Sequence, residues 1–327
     1  MAAKVSQATV SRTFDDPEAV LPATRELIRK VAARLGYRSH AGARAMRLGR
    51  SNQVAMIESS DPQRHWLPIR LLVGMQKALS PAGYHLVHAN FLDDQLGDAR
   101  ILPNLLHHLN ADGLLVNYTS EVPPAIDLAL TKLGRPQIWL NVDRPADCVR
   151  PDDRQAGRLL TSHLLAMGHR RIAYIDSVRN SGVVHFSRND RQAGYQQTMA
   201  EAGLKDCVFT PGGRPYHELA GLDVFHAFLV RERPTACIGY ASGDVGMVMV
   251  AALRSGLRLP QQLSLATFSE EPSFMGLCIT TALVPAEEVG RVAVTMLLAS
   301  IAQPRRKRPA QALPFTIYAG NSCMPPG

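Results

Sequence analysis

The chain has 327 residues, of which 46% are hydrophobic and 6% are aromatic, and its formal net charge at pH 7 is +8. A chain of this length and apolar content can bury a large core and is expected to form more than one structural unit. The low aromatic content argues against recognition of single-stranded nucleic acid by stacking. The five cysteines show no CxxC spacing and no paired histidines. This pattern indicates reduced thiols rather than a zinc site or a disulfide framework.

The sequence also lacks membrane and catalytic signatures. No run of 18 or more apolar residues occurs, and the N-terminus has no continuous apolar stretch of the signal-peptide kind. We therefore expect a soluble, cytoplasmic protein with no membrane partner. The P-loop, dinucleotide-binding, nucleophile-elbow and zinc-protease motifs are all missing from the sequence. We accordingly expect a protein that is not an enzyme and that needs no cofactor and no metal.

Positive charge is concentrated at the N-terminal end. Residues 1–52 hold ten Lys or Arg against four Asp or Glu, so this short stretch carries most of the net charge. A surface that binds phosphates needs such a positive field. The alternative is a basic face that is merely solvated.

A short polar helix is predicted within residues 5–12. Ser6 is a suitable N-cap, and Val5 and Val10 can anchor one face. The opposite face carries Gln7, Ala8, Ser11 and Arg12. Gln and Arg side chains read adenine and guanine edges, an Ala methyl can meet a thymine methyl, and hydroxyls donate to phosphates. The segment is therefore interpreted as a DNA recognition helix, with an ordinary capped helix of a globular domain as the alternative.

Two further helical segments follow. Residues 22–35 place apolar side chains at helical spacing and end at Gly36, a residue suited to the position after a helix. Residues 41–48 form a second, shorter helical candidate with arginines at positions 44 and 47 and Met46 between them.

Three motifs in this order, VSQATVSR, a Thr-Arg-Glu helix ending in LGY, and ARAMRLGRSN, resemble the DNA-binding head and hinge of the lactose/galactose repressor (LacI/GalR) family of bacterial transcription regulators. The resemblance implies an all-α helix-turn-helix head at 1–38 and a hinge helix at 39–52 that lies in the minor groove. It also implies a two-lobed α/β domain at 53–327, similar to periplasmic binding proteins, that binds ligand and dimerises. The implied function is a ligand-responsive, sequence-specific repressor that binds a double-stranded DNA operator as a homodimer.

The family pattern also assigns roles to individual residues of the head. It places base-reading side chains at Gln7, Ala8 and Arg12, and backbone-contacting hydroxyls at Ser6, Thr9 and Ser11. Met46 stands where the family usually inserts a leucine between base steps, and methionine is also an apolar wedge. His40 replaces the family's asparagine, and Met1 to Lys4 match only the end of the family's first helix and the turn. The resemblance therefore indicates a head that is incomplete at its N-terminal side.

From Gln53 onward, short apolar runs alternate with amphipathic helices, as is typical of doubly wound parallel sheets. Strands are predicted at 54–57, 84–89, 113–116, 136–140, 171–175, 236–239 and 263–268. Helices are predicted at 67–79, 98–109, 125–133, 156–167, 190–202 and 245–255. Two such series predict two lobes with a cleft between them. Ligands of such sheets bind at the carboxyl ends of the strands.

Several polar residues are candidates for contact with a ligand in this cleft. Arg191 stands where the family has its effector-contacting arginine, with a helix-surface arginine as the alternative. Asp152 is expected either to face the cleft or to cap the next helix. One of Ser242 and Asp244 is expected to face the ligand, because the family's Asn-Asp pair is not cleanly present. Glu270 lies where the family has two aspartates.

The loop after the first strand adds a further candidate group, Asp61, Arg64, His65 and Trp66. It combines charge with an aromatic ring, as a sugar platform would, although such residues are often incidental in loops. We expect a small, sugar-like carbohydrate effector that differs from the sugars of common family members. Arg305 to Arg308 is interpreted as a solvated turn.

A second hypothesis is a solute-binding protein of the periplasmic type without DNA-binding activity. Such a protein shares the two lobes but requires a signal peptide and no basic head. This sequence shows the reverse.

Overall fold

The computed structural model describes residues 5–37, 50–61, 64–65, 67–119, 122–177, 185–211 and 219–327. Residues 39–49 of the predicted hinge, including Met46, lie outside the described residues, as does Trp66, and residues 50–52 are not helical. Within the described ranges, no helix combines the length and apolar character needed to cross a bilayer.

The N-terminal unit consists of two helices joined by a 3₁₀ turn at Pro17–Ala19. Helix α1 (Gln7–Asp15) ends three residues beyond the predicted segment, and helix α2 is Pro22–Arg34. The α1 helix begins at Ser6 because the Ser6 side chain accepts a hydrogen bond from the Thr9 amide at 3.1 Å. The core between these helices is small and includes Thr13, Val20, Ile28 and Ala32.

The first lobe begins with β1 (Gln53–Ser59), α3 (Ile69–Leu79), β2 (His85–Phe91), α4 (Asp93–Gly97), α5 (Leu102–Leu109), β3 (Gly113–Asn117), α6 (Pro124–Lys132), β4 (Gln137–Leu140) and β5 (Cys148–Pro151). The predicted helix at 98–109 ends as predicted at Leu109 but begins four residues later, at Leu102, because the preceding helix α4 ends at Gly97 and a turn separates the two. Asp98 has an extended backbone conformation, and its carboxylate accepts hydrogen bonds from the amide and guanidinium of Arg100. Pro103 then lies in the first turn of α5, where its missing amide costs no hydrogen bond.

The second lobe contains α7 (Asp153–Ala166), β6 (Ile172–Ile175), α8 (Phe186–Glu201), β7 (Val208–Phe209), α9 (Leu219–Glu232), β8 (Ala236–Gly239), α10 (Ser242–Arg254), β9 (Ser264–Ser269), the short hairpin β10 (Ser273–Phe274) and β11 (Leu277–Cys278), and β12 (Thr280–Leu283). The chain then returns to the first lobe as α11 (Ala286–Ala302) and β13 (Gln311–Leu313), and ends in the second lobe with β14 (Thr316–Tyr318).

Each lobe is built on a six-stranded sheet. The first sheet has the order β13-β5-β4-β3-β1-β2 and is parallel throughout. The second has the order β14-β12-β9-β8-β6-β7, and only the edge strand β14 is antiparallel to its neighbour. Buried aliphatic and aromatic side chains cover both faces of each sheet. This is the burial expected of parallel strands enclosed by helices, and it confirms the predicted fold class.

The chain passes between the lobes three times, after β5, after β12 and after β13. The crossings are tied together by hydrogen bonds. The Asp152 amide donates to the Leu313 carbonyl at 2.8 Å, and the Phe315 amide donates to the Gln155 side chain at 3.2 Å. The lobes are therefore joined by a narrow set of connections, and the carboxyl ends of both sheets face one cleft.

The point at which the chain enters the first lobe is fixed by one carboxylate. Asp112, just before β3, accepts hydrogen bonds from the Ser51 amide at 2.7 Å, the Ser51 hydroxyl at 2.8 Å and the Asn52 amide at 2.9 Å. These residues immediately precede β1. The entry point consequently moves with the first lobe.

In both lobes the two main helices cross at glycine. A Cβ atom added to Gly157 on α7 would overlap the Arg191 carbonyl oxygen of α8, and one added to Gly194 would overlap the Arg154 carbonyl oxygen. The first lobe repeats the arrangement with Gly74 on α3 and Gly290 on α11. Because backbone lies directly against backbone at these crossings, no side chain can be accommodated without separating the helices.

We expect Gly194→Ala to lower the free energy of unfolding by about 1–3 kcal/mol, the usual cost of overpacking a core. Gly243→Ala is the matched control, because a Cβ there meets nothing within 4 Å on a helical backbone. It should be neutral or stabilising by about 0.4–1 kcal/mol. Urea unfolding followed by circular dichroism measures both, and equal stability of the two variants would contradict the crossing geometry.

Candidate ligand cleft and nucleic-acid interface

The outer face of α1 carries the predicted base-reading side chains. Gln7, Ala8 and Arg12 are exposed, whereas Thr9, Val10 and Ser11 are half-buried. Ser6 is also exposed, but its hydroxyl lies 2.8 Å from the Thr9 hydroxyl as well as capping the helix. The helix therefore presents an amide, a methyl and a guanidinium to solvent, and these groups can contact base edges.

A cavity of about 420 Å³ lies between the lobes at the carboxyl ends of the strands. This is within the usual size range of small-molecule sites. The first lobe contributes His65, Thr119, Asn141 and Pro151. The remaining lining residues are Asp153, His185, Ser187, Arg191, Tyr240, Ala241, Ser242, Phe268, Ser269, Glu270 and Val284. The lining is thus mostly polar side chains with two aromatic rings.

Arg191 is held rigidly at the floor of this cavity. Its Nε donates to the Asp153 carboxylate at 2.7 Å, and Nη1 donates to the Tyr240 carbonyl at 3.2 Å. The guanidinium also lies over the rings of Tyr240 and Phe268, 5.1 and 4.8 Å from their centres. Burial raises the pKa of Asp153, and the charge of Arg191 opposes that shift. The second carboxylate oxygen, Oδ2, has no hydrogen-bond partner among the described residues, so it is an acceptor available to a ligand.

A second polar group is built from His185, Ser187 and Tyr240. His185 Nδ1 accepts from the Ser187 amide at 3.1 Å and lies 2.5 Å from the Ser187 hydroxyl, which in turn lies 2.9 Å from the Tyr240 hydroxyl. Because Nδ1 accepts, the ring proton of the neutral imidazole belongs on Nε2. Nε2 is buried against the Asn141 backbone, which favours the proton on this nitrogen. The imidazole is therefore held through both ring nitrogens and fixes the Ser187 and Tyr240 hydroxyls in the cavity wall.

His185 stays neutral at physiological pH. Burial lowers the pKa of its imidazole to about 3, with the charge of Arg191 adding to the shift and the Asn141 backbone opposing it. The side chain is therefore a fixed neutral donor and not a titrating group in this range.

The structure divides the predicted ligand residues into two groups. Arg191, Ser242 and Glu270 line the cavity, and burial raises the pKa of Glu270, with Arg70 opposing the shift. Asp152 lies outside it and caps α7, since its carboxylate accepts from the Gln155 amide at 3.0 Å.

Asp244 also lies outside the cavity lining. It is buried behind the lining and accepts hydrogen bonds from the amides of Ser177 and Ala241, both at 2.9 Å. Burial raises the pKa of Asp244, with the Ser177 hydrogen bonds opposing the shift. Of the two open alternatives, Ser242 is therefore the one at the cavity.

The loop after β1 contributes only part of its predicted group. His65 lines the cavity and its Nδ1 lies 3.1 Å from the Asp61 carbonyl oxygen. Arg64 forms ion pairs with Asp93 at 3.0 Å and Asp61 at 3.6 Å. Neither Arg64 nor Asp61 is among the lining residues. Within the described ranges, no cluster of three or more His, Cys, Asp or Glu residues could hold a metal ion.

Sequence reasoning missed Asp153, His185, Ser187 and Tyr240. The helix that carries Arg191 was predicted to begin at 190 but begins at Phe186, with the His185 side chain as its cap. His185 and Ser187 were therefore treated as loop residues. Asp153 follows Asp152 directly, and the sequence cannot tell which of two adjacent acids caps a helix and which points inward.

The His185 geometry predicts an acid-sensitive fold. In the unfolded chain the His185 imidazole takes up a proton near its ordinary pKa of 6.5. In the folded chain the same imidazole takes up a proton only near pH 3. The contribution of His185 to the free energy of unfolding is therefore fully present above pH 6.5 and is lost as the pH is lowered. For one proton the loss is at most about 1.4 kcal/mol per pH unit. His185→Gln should flatten this slope in urea unfolding between pH 7 and 5, whereas the exposed control His108→Gln should not. An unchanged slope in His185→Gln would argue against the buried neutral imidazole.

Two family descriptions match the chain. Residues 1–40 match "Bacterial regulatory proteins, lacI family", and residues 161–323 match a periplasmic binding protein-like domain. The transcriptional regulator GntR of Pseudomonas aeruginosa is 26% identical over 98% of this chain and 93% of its own length. The ribose operon repressor of Escherichia coli is also 26% identical, over 98% of this chain and 97% of its own length.

Solved structures show the same fold. A lac repressor dimer bound to operator and the anti-inducer ONPF superposes with a TM-score of 0.78 at 22% identity, covering 99% of this chain and 97% of that one. A complex of the regulator CelR with cellobiose gives a TM-score of 0.65 at 22% identity, covering 98% of this chain and 97% of that one. With its head matched at one end and its binding domain at the other, in the order that the relatives share, this chain belongs to the LacI family of bacterial regulatory proteins.

Proposed function

We propose that this protein is a transcriptional repressor that binds operator DNA through its head and releases or strengthens that binding when a small hydroxylated molecule occupies the cleft. One observation carries the proposal. A single chain combines a helix that exposes Gln7, Ala8 and Arg12 with a 420 Å³ cavity whose mostly polar lining includes Asp153 Oδ2, an acceptor without a partner among the described residues.

The cleft chemistry favours a neutral, hydroxyl-rich ligand. Asp153 Oδ2 can accept a hydrogen bond, and the Ser187 and Tyr240 hydroxyls can donate or accept one, so ligand hydroxyl groups can satisfy all three. The charge of Arg191 is already compensated by the Asp153 carboxylate at 2.7 Å, so the pair offers little net charge to an anionic ligand. The rings of Tyr240 and Phe268 supply apolar surface for the faces of a sugar. The printed names of relatives, a ribose operon repressor and a cellobiose complex, agree with this class of ligand.

Contacts across the cleft supply a means of coupling. Arg150 on β5 forms ion pairs with Asp143 at 3.3 Å and with Asp190 on α8 at 3.8 Å, and it lies over the Phe186 ring at 5.6 Å. Because these groups belong to both lobes, their contacts change when the lobes move. A ligand can shift the lobes only by its differential affinity for the two arrangements, typically about 1–3 kcal/mol.

The protein is proposed to act as a homodimer in the cytoplasm, where it meets the chromosome. One small head makes few phosphate contacts, and two heads related by a two-fold axis bind two half-sites of a pseudo-palindrome. The relatives with the same two-part organisation carry the names of regulators and not of enzymes or of solute-binding proteins. They therefore favour the regulator over the solute-binding alternative, and a role other than catalysis.

We expect Arg12→Ala to weaken binding to the specific operator by about 1–3 kcal/mol, the value of a bidentate base contact, and to leave binding to random duplex nearly unchanged. Arg29→Ala is the control, because Arg29 is an exposed arginine on α2, away from the proposed reading face of α1. Fluorescence anisotropy with an operator selected from a random duplex pool measures both variants. If Arg12→Ala lowered the affinity for specific and random DNA equally, the Arg12 side chain would contact phosphates and not bases.

The cleft assignment is tested with two adjacent glutamates. Glu270 lines the cavity, whereas Glu271 lies outside its lining. We expect Glu270→Gln to weaken effector binding about tenfold or more, as for loss of a charged hydrogen-bond partner, while operator binding without effector is retained. Glu271→Gln should keep wild-type affinity. The effector is first identified by thermal shift against a panel of neutral sugars and sugar acids, and titration calorimetry then compares the variants. A wild-type response in Glu270→Gln would place the ligand elsewhere.

A further inference from the structure

A second cavity, of about 330 Å³, lies at the opposite end of the first lobe. It is lined by the start of β4, the loop at 144–147, and the segments that follow α6 and α11. The carboxyl end of β4 leads to Asn141 in the ligand cleft, whereas Gln137 at its amino end lines this second cavity. The two cavities are therefore at opposite edges of the same sheet and are separate sites.

The second cavity is strongly cationic. Its charged lining residues are Arg135, Arg144, Arg305, Arg306, Lys307 and the single acid Asp147. Asp147 is already engaged, since its carboxylate accepts from the Arg308 amide at 2.8 Å. Arg144 is paired with Asp127 at 2.9 Å, and Arg135 donates to the Ala111 carbonyl at 2.9 Å. The hydrogen bond of Arg135 to a neutral carbonyl leaves its charge uncompensated, and the charges of the three exposed cations at positions 305–307 are uncompensated as well.

The rim cations have no evident structural task. Basic side chains after a helix often cap its last carbonyl groups, and Arg308 does so for α11 by donating to the Ala299 carbonyl at 2.6 Å. Arg305, Arg306 and Lys307 are exposed and form no side-chain hydrogen bond or ion pair with the described residues. The positive charges of these three residues are therefore left to solvent or to a ligand.

The cavity wall also holds a buried polar atom without a partner. Ser300 on α11 is 6% exposed, and its hydroxyl oxygen makes no hydrogen bond to any described residue. It lines the cavity together with Trp139, which is buried beneath Arg144 with the guanidinium 4.3 Å from the ring centre. An inward hydroxyl behind a cationic rim is the arrangement expected for a bound anion with several oxygens.

We propose that this cavity binds the phosphate groups of a small phosphorylated molecule. A phosphate offers acceptor oxygens to the Arg306 and Lys307 side chains at the rim and to the Ser300 hydroxyl at the wall. A cavity of 330 Å³ has the volume of a small-ligand site. A DNA duplex, whose major groove alone is about 12 Å wide, could touch only the rim. The site is distinct from the sugar cleft and does not depend on the function proposed for that cleft.

Titration calorimetry of the full chain with inorganic pyrophosphate tests the site. We expect saturable binding that weakens at least tenfold in the double variant Arg306→Gln with Lys307→Gln, and that also weakens in Ser300→Ala. The control removes two exposed charges from the second lobe, Arg231→Gln with Arg258→Gln, and should stay within about twofold of wild type. The neutral effector of the cleft should not compete with pyrophosphate.

The outcomes separate the proposal from its alternatives. No saturable binding of pyrophosphate, or an equal loss in the control variant, would overturn the site. A different outcome would be that Ser300→Ala binds pyrophosphate normally while the double variant Arg306→Gln with Lys307→Gln binds random duplex DNA more weakly than wild type. The cations would then contact the DNA backbone, and the cavity proposal would be wrong. Trp139 fluorescence in a Trp66→Phe background gives a second readout, since an anion that draws Arg144 from the ring changes its emission.

Discussion

The buried ion pair between Asp153 and Arg191 determines the geometry of the cleft. Its two members lie on α7 and α8, and the same helices cross at Gly157, directly against the Arg191 carbonyl group. The close backbone approach places the guanidinium where it reaches both Asp153 and Tyr240. The Arg191 side chain is 12% exposed and the Asp153 side chain is 1% exposed. Removing two such charges from water costs free energy, so each depends on the other for compensation. The pair is therefore better understood as a means of fixing a specific arrangement than as a source of stability.

This coupling of packing and chemistry explains why the polar atoms of the cleft are organised before ligand arrives. Arg191 cannot rotate without exposing Asp153, and His185 is fixed by its own hydrogen bonds to Ser187. A ligand then meets polar side chains that are already oriented, and little of its binding free energy is lost in ordering them. The first lobe uses the same glycine crossing, at Gly74 and Gly290, but there it stabilises the helix that returns from the second lobe.

Much of the fold could be predicted from sequence periodicity, because parallel strands enclosed by helices are continuous apolar runs. The strand at 236–239 was placed at its exact bounds. The short edge strands β7, β13 and β14 and the strand β5 were not identified, since none of them contains a run of four apolar residues. Helix α11 was also missed, although Glu288, Arg291 and Thr295 mark an exposed polar face at helical spacing. Its return to the first lobe is a long-range feature that local pattern cannot reveal.

The site was harder to predict than the fold. Sequence reasoning reached Arg191, Ser242 and Glu270, but the side chains that complete their environment come from distant segments, and adjacent acids such as Asp152 and Asp153 have opposite orientations. Whether an acid caps a helix or enters a cavity depends on one backbone dihedral angle, which composition does not encode. The same limit applies to Asp244, whose position in the chain is that of a ligand contact but whose carboxylate organises the Ser177 backbone behind the cleft.

The three hydrogen bonds that Asp112 accepts from Ser51 and Asn52 have a mechanical consequence. They bind the first residues of the binding domain to the start of β3, so these residues cannot bend away from the lobe without breaking three hydrogen bonds. A rigid anchorage transmits displacement, whereas a loose one dissipates it as local bending. Any rotation of the first lobe therefore carries Ser51 and Asn52 with it, and the movement of the lobe reaches the N-terminal end of the binding domain undiminished.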